Sequence, residues 1–312
     1  MPWAEGASLL YLTFDGHPVF LPGVFVLGAA VGYVAGMFGV GGGFLLTPLL
    51  TLVFGVPLPI AVGTGLCQVV ATSLVSVLRF RDQRRGEQRF DLVMLGGSVM
   101  GTEAGTRALT ALTEAGTVTL LGRRIAAVNL GVELSYVVIF VVVAIVFWRQ
   151  GKSGIDRLAY VWRGPLARLP IPPFVDLETV GLARVSAPTI GYVGLVLGFV
   201  SGLIGIGGGV ALMPILVYGF GFSMQHAAGT GVLMLVVSSS YGTFRHALAG
   251  HVSLPLAMTL LLGAPLAATL GSGLTTRLSA ATMRRAFSLV VLGAVLAVAW
   301  DLARHLSPVA SP

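Results

Sequence analysis

The residues best suited to chemistry in this chain are glycines. Residues 36–48, Gly-Met-Phe-Gly-Val-Gly-Gly-Gly-Phe-Leu-Leu-Thr-Pro, return 166 positions later as residues 202–214, Gly-Leu-Ile-Gly-Ile-Gly-Gly-Gly-Val-Ala-Leu-Met-Pro. Both copies lie in apolar segments, where each glycine gives up about 1 kcal/mol of helix propensity, so each copy marks a helix broken at membrane depth. The helix that restarts after the break presents unpaired amide N–H groups and a partial positive charge, which suit an anion. On that ground Gly41, Gly42, Gly43 and Phe44, and likewise Gly207, Gly208, Gly209 and Val210, are substrate-binding candidates through their backbone. The alternative, that the glycines only permit close helix crossing, stays open, although Gly28, Gly32 and Gly36 already supply a small face at four-residue spacing.

Side chains extend the candidate site. Thr64 and Thr230, 166 apart, could donate hydroxyl hydrogen bonds to an oxyanion or could bond their own helix backbone. Gln68, Ser73, Ser76, Ser238, Ser239 and Ser240 could line the same place or serve helix–helix hydrogen bonds. Arg245 and His246, with Arg79, are expected near cytoplasmic helix ends, where a cationic mouth gathers anions; histidine can also carry a coupling proton. Glu133, between Asn129 and Ser135, is the one acid well inside an expected span and is the proton-coupling candidate, or else a salt-bridge partner. Glu103 and Arg107, four apart on one helix, can pair with each other.

The elements that must hold these residues follow from composition. The chain of 312 residues is 55% hydrophobic and 10% charged, with a mean hydropathy of +0.92, far from the roughly 25% charge of a soluble domain. The expected fold is an all-α polytopic membrane protein with about eight transmembrane helices in two four-helix repeats, each opened by a glycine-broken first helix. The broken helices are expected at 22–38 with 44–54, and at 188–204 with 210–220. The regions are an N-terminal segment 1–21, a first transmembrane repeat 22–148, a cytoplasmic linker 149–187, a second repeat 188–305 and a tail 306–312.

One offset relates the halves: Gly28, Gly32 and Gly36 map to Gly194, Gly198 and Gly202, Ser73 to Ser239, Arg79 to Arg245 and Gly105 to Gly271. An ungapped register over about 80 residues marks an internal duplication. With eight crossings and both termini inside, the inner face receives 13 Lys and Arg and the outer face 6, which favours cytoplasmic termini and parallel repeats. If the helices after the breaks are re-entrant, the crossing count changes and the repeats invert.

The net charge of +7 reflects arginines at the ends of apolar segments rather than a nucleic-acid surface. Neither glycine run ends in Gly-Lys-Ser/Thr, and neither completes a dinucleotide fingerprint after a soluble strand, so nucleotide binding is excluded. Cys67 and the five scattered histidines offer no zinc spacing, and neither His-Glu-x-x-His nor Gly-x-Ser-x-Gly occurs; no enzyme activity and no metal is expected. Residues 1–21 lack the basic region of a secretory signal.

The doubled Gly-x-Gly-Gly-Gly-x-x-x-x-Pro, followed by Ala61-Val-Gly-Thr64 in one half and Ala228-Gly-Thr230 in the other, resembles the sulfite exporter TauE/SafE family. The run from His246 to Ser253 also looks like that family's second-half signature. The resemblance covers nearly the whole chain. It departs from the family at Gly65 and Gly231, where serine is common in relatives. It implies an inner-membrane permease, acting as an exporter of sulfite, an organosulfonate or another small anion, without an organic cofactor. The expected partners are that anion, a coupling proton that stays open, the lipid bilayer and no nucleic acid; a homodimer also stays open. An anion channel or a non-transporting membrane assembly subunit is the alternative function.

Overall fold

The computed structural model describes residues 11–14, 17–82, 86–120, 123–151, 163–275 and 277–306. Most of segment 1–21 and of the tail 306–312 lie outside them. The described chain is mostly helical. Five helices are long and apolar enough to cross a membrane, and four further apolar helices are shorter, as in a polytopic membrane protein.

In the first half, α1 (Leu21–Phe38) is followed by α2 (Gly43–Phe54), α3 (Leu58–Asp82), α4 (Gln88–Glu114) and α5 (Ala127–Gly151). In the second, α6 (Ala187–Ile204) is followed by α7 (Gly209–Pro214), which runs on as a π-helix over Ile215–Phe220, then α8 (Met224–Gly229), α9 (Val232–Leu248), α10 (Leu254–Leu274) and α11 (Ala280–Leu306). Three short antiparallel hairpins add the only strands among the described residues: β1 (Tyr11–Phe14) with β2 (His17–Phe20), β3 (Thr117–Leu120) with β4 (Arg123–Ala126), and β5 (Phe174–Leu177) with β6 (Leu182–Ser186). They sit outside the long helices, the last of them within the linker.

Small residues set the packing. A Cβ on Gly28 would press on Leu260, on Gly32 on the Ala264 backbone and on Gly36 on the Ala268 carbonyl, so α1 runs parallel to α10. In the other half Gly194, Gly198 and Gly202 abut the backbone of Met94, Ser98 and Thr102, so α6 runs parallel to α4. The first helix of each half thus packs along a long helix of the other, α1 along α10 and α6 along α4. Between these pairs α3 and α9 cross antiparallel: the start of α3, at Gly63 and Thr64, meets His251 and Ser253 beyond the end of α9.

Two expectations change. First, α2 does not prolong α1. A Cβ at Gly23, near the start of α1, would lie 3.0 Å from Phe54 at the end of α2, and Val24, Val31, Leu46 and Leu50 share one core, so the pair is a hairpin. The positive-φ glycines turn the chain back instead of kinking it. Second, equivalent helices run in opposite directions, which separates Arg79 and Arg245 to opposite ends of the α3–α9 pair. Gly202→Val places a branched side chain against the Thr102 carbonyl and should destabilise the fold by about 1–3 kcal/mol. Gly96→Val, with nothing within 4 Å of its Cβ position, should leave the thermal midpoint in detergent near that of the parent.

Candidate functional site

The two breaks share one backbone shape. Gly39, Gly41 and Gly42 take φ of 68°, 75° and 79°, and Gly205, Gly207 and Gly208 take 71°, 73° and 77°. Three left-handed residues in four positions are accessible only to glycine at low cost. The breaks also touch one another: a Cβ on Gly43 would strike the Gly205 carbonyl, and one on Gly209 the Val40 carbonyl. Midway along α3, the Val69 side chain stands between them, 2.7 Å from a Cβ at Gly41 and 2.6 Å from one at Gly207. Since α2 is about 18 Å long, it spans about half of a ~30 Å hydrocarbon core. All of Gly41 to Phe44 and Gly207 to Val210 are buried.

Hydrogen bonding at the breaks is one-sided. On the carbonyl side, Thr275 Oγ1 donates to Met37 O at 2.7 Å, Tyr136 Oη to Ile204 O at 3.1 Å and His246 Nε2 to Gly202 O at 3.0 Å. A carbonyl only accepts, so Nε2 of His246 carries the proton. On the amide side, Gly42 and Gly208 hold the N-cap positions of α2 and α7 and provide no side-chain cap. The first amides of a helix lack intrahelical partners. Beside them lie two more unpaired groups: Ser73 Oγ is 3.3 Å from a Cβ at Gly41, Ser239 Oγ 3.4 Å from one at Gly207, and neither hydroxyl has a hydrogen-bond partner. Ser73 is 1% and Ser239 0% exposed. An unpaired buried hydroxyl costs about 1–3 kcal/mol, so this pair is available to an acceptor from outside the chain.

Neighbouring polar groups are largely committed. Thr72 Oγ1 lies 2.9 Å from Gly41 O, Ser76 donates to Thr72 O, Ser238 contacts Met234 Sδ, and Ser240 is exposed. Gln68 donates from Nε2 toward Gly28 O at 3.4 Å, which leaves its buried Oε1 without a partner. Thr64 and Thr230 join the halves: Thr64 Oγ1 accepts from Ser253 N at 3.0 Å and Thr230 Oγ1 from Glu87 N at 3.1 Å. Ser253 and Glu87 are themselves 166 apart. The two threonines therefore bond neither their own helix nor the amide side of a break; Val62 and Ala228, two positions before each, abut the glycines that end α6 and α1.

Arg245 stands outside this centre. Its Nε is 2.8 Å from Glu103 Oε2, Arg107 Nε is 2.6 Å from Glu103 Oε1, and Tyr241 donates to Glu103 at 2.8 Å. Two guanidiniums on one carboxylate leave a net positive patch at the α9 end. His246 links that end to the α6 break, and the His251 ring lies 5.8 Å from its own. Burial holds the His251 imidazole below its ordinary value, so it is neutral at pH 7. Glu133 is 7% exposed on α5, one turn from the Tyr136 that caps Ile204.

Asp91 and Tyr136 were not singled out from sequence. Asp91 accepts from the Gly231 N–H and is 3% exposed. Its signal was the offset: Ala257 occupies the equivalent place in the second half. Tyr136, an aromatic in a β-branched run, gave none. No group of three or more His, Cys, Asp or Glu suited to a metal occurs among the described residues. The site is therefore a donor-rich meeting of two helix breaks.

The profile described as Sulfite exporter TauE/SafE matches residues 24–298. The probable membrane transporter protein YunE of Bacillus subtilis is 25% identical over 86% of this chain and 93% of its own. A probable membrane transporter protein of Methanocaldococcus jannaschii is 23% identical over 90% of this chain and 94% of its own, and one of Xylella fastidiosa 26% over 88% and 92%. No solved structure matches.

Proposed function

The chain belongs to the sulfite exporter TauE/SafE family of membrane transporters, and from that premise we propose that it is a secondary transporter exporting a small anion, such as sulfite or an organosulfonate, across the inner membrane. The observation that carries this reading is the pair of buried, unpartnered hydroxyls of Ser73 and Ser239, one beside each glycine break. Together with the uncapped amides of α2 and α7 they can all donate, which suits an oxyanion. Gln68, Gly41 to Phe44 and Gly207 to Val210 complete the proposed site; Thr64 and Thr230 hold its halves together, and Arg245 beside Arg107 forms a cationic approach to it, with His246 between that approach and the α6 break.

The eight apolar units are two hairpins and six crossings, three per half, in inverted repeats. Alternating access then arises from one half rocking against the other around the touching breaks. Three crossings per half put the linker on the opposite side from both termini. The segments 79–89, 149–184 and 277–285 fall on the linker side and hold 14 of the 19 Lys and Arg, whereas the other side holds the remaining five, Arg107, Arg123, Arg124, Arg245 and Arg304. That asymmetry favours a cytoplasmic linker and termini outside, reversing the expectation of cytoplasmic termini. In a Cys67→Ala background, Glu178→Cys should react with a membrane-impermeant maleimide only from the cytoplasmic side and Thr117→Cys only from outside; the reverse pattern would overturn this orientation.

Purified protein in liposomes should carry sulfite or an organosulfonate. No flux for any member of a broad panel of inorganic and organic anions would remove the transport reading.

A further inference from the structure

The halves differ at one matched place. Through Thr64–Gly65, α3 is a continuous helix; at Thr230–Gly231 the equivalent helix is split into α8 and α9, with Thr230 extended (φ −97°, ψ 143°) and Gly231 at φ 86°. The threonine contact does not explain the difference, because each Thr hydroxyl accepts the same type of N–H from the other half. What differs is the residue one turn further along the packed helix. In the first half it is Asp91, whose carboxylate takes the Gly231 N–H and caps α9; in the second it is Ala257, which can accept nothing. A carboxylate at a helix N-terminus accepts the exposed amide and holds that terminus in place.

Asp91 also lines an open depression of about 620 Å3, with Gly86, Glu87, Gly229 and Leu233, on the side that carries the linker hairpin. Water can therefore reach a group that is otherwise buried.

We propose that Asp91 is the residue that couples anion movement to a proton: ionised, it holds α8 and α9 apart through a charge-assisted bond to the Gly231 amide, and a proton taken from water in the depression weakens that bond. The two segments then join into one helix like α3. Movement of α8 reaches the anion site directly, because the Ala228 carbonyl abuts Gly39 at the first break. This inference rests on the transport reading above and replaces Glu133 as the coupling residue.

The ionisable groups around Asp91 are few. Glu87 on its own element accepts from Thr179 N at 2.7 Å, and Arg89 pairs with Glu178 of the β5–β6 hairpin at 2.9 Å and donates to Asp176 O. On α8, His226 Nδ1 lies 2.8 Å from Ser223 Oγ, and Arg79 is exposed at the end of α3. The first two turns of α9 carry no ionisable side chain; α6 carries only Tyr192, and Phe220 and Phe222 cover Phe90.

The test uses the full-length protein in liposomes with radiolabelled sulfite. Asp91→Asn mimics the protonated, neutral side chain and cannot titrate. It should lower accumulation driven by a pH gradient about tenfold or more, while sulfite exchange at equal pH stays within about twofold of the parent. Asp91→Glu should restore coupling. Accumulation by Asp91→Asn at the wild-type ratio, or exchange falling together with accumulation in folded protein, would overturn the inference. Wild-type protein that carries no anion removes the transport reading, and this inference with it.

Discussion

Replacing Ser73 and Ser239 together by alanine should cut anion flux about a hundredfold while leaving the protein as stable as before or more so. The two effects have opposite signs because of the hydroxyls' present state. Neither has a partner, so in the empty protein each contributes only its desolvation cost. Removing both relieves about 1 kcal/mol or more of that cost and should raise the thermal midpoint slightly. With an anion at the breaks each hydroxyl donates to a charged acceptor, worth about 1.5–3 kcal/mol. The two share one ligand, so their losses need not add. Each single variant should lose about tenfold or more, and Ser76→Ala, whose hydroxyl bonds Thr72 O, should carry at the parental rate. Flux in liposomes and a melting curve in detergent measure both signs. A double variant that transports normally would remove the hydroxyls from the site, and one that melts early would make them structural.

The two breaks were legible in the sequence because membrane chains advertise their exceptions. Glycine runs inside apolar segments and a fixed offset of 166 located both breaks to within a residue of the observed helix ends: α1 ends at Phe38 and α6 at Ile204. The same offset paired Ser73 with Ser239 and Thr64 with Thr230. What it did not convey was direction. A hydropathy pattern is unchanged whether a helix after a glycine turn continues or folds back, so the hairpins, and with them the inverted relation of the halves, emerged only from contacts such as Gly23 against Phe54. Roles were likewise hidden where the partner is distant in sequence. Thr230 looked like a ligand and instead receives the Glu87 amide 143 residues away; Asp91 looked like a loop acid and instead caps α9. Symmetry read as similarity located the two breaks, whereas one mismatch, Asp91 against Ala257, became informative only once the helix break was seen beside it.

Gly43→Ala combined with Gly209→Ala should abolish transport more completely than any side-chain deletion, because it separates the two breaks themselves. Gly43 and Gly209 lie at ordinary helical φ, so alanine meets no backbone strain and even gains helix propensity. The obstacle is contact: one new methyl would meet the Gly205 carbonyl and the Val69 side chain, the other the Val40 carbonyl. Backbone oxygens cannot swing aside, so the facing turns must part by roughly an ångström, a displacement that close-packed interiors resist. Overpacking of this kind costs about 1–3 kcal/mol per site, which a protein of this size can survive in a folded form. The amides and the two serine hydroxyls would no longer converge on one anion, and flux should fall about a hundredfold or more for each lost convergence of donors. Gly191→Ala on α6, with no atom within 4 Å of its Cβ position, controls for the general effect of a glycine-to-alanine change. If the double variant folds and still carries the anion at the control's rate, the donors of the two breaks act separately. A carrier whose halves work independently has no need of breaks that touch, so the contact between Gly43 and Gly205 is the feature on which the shared-site mechanism stands.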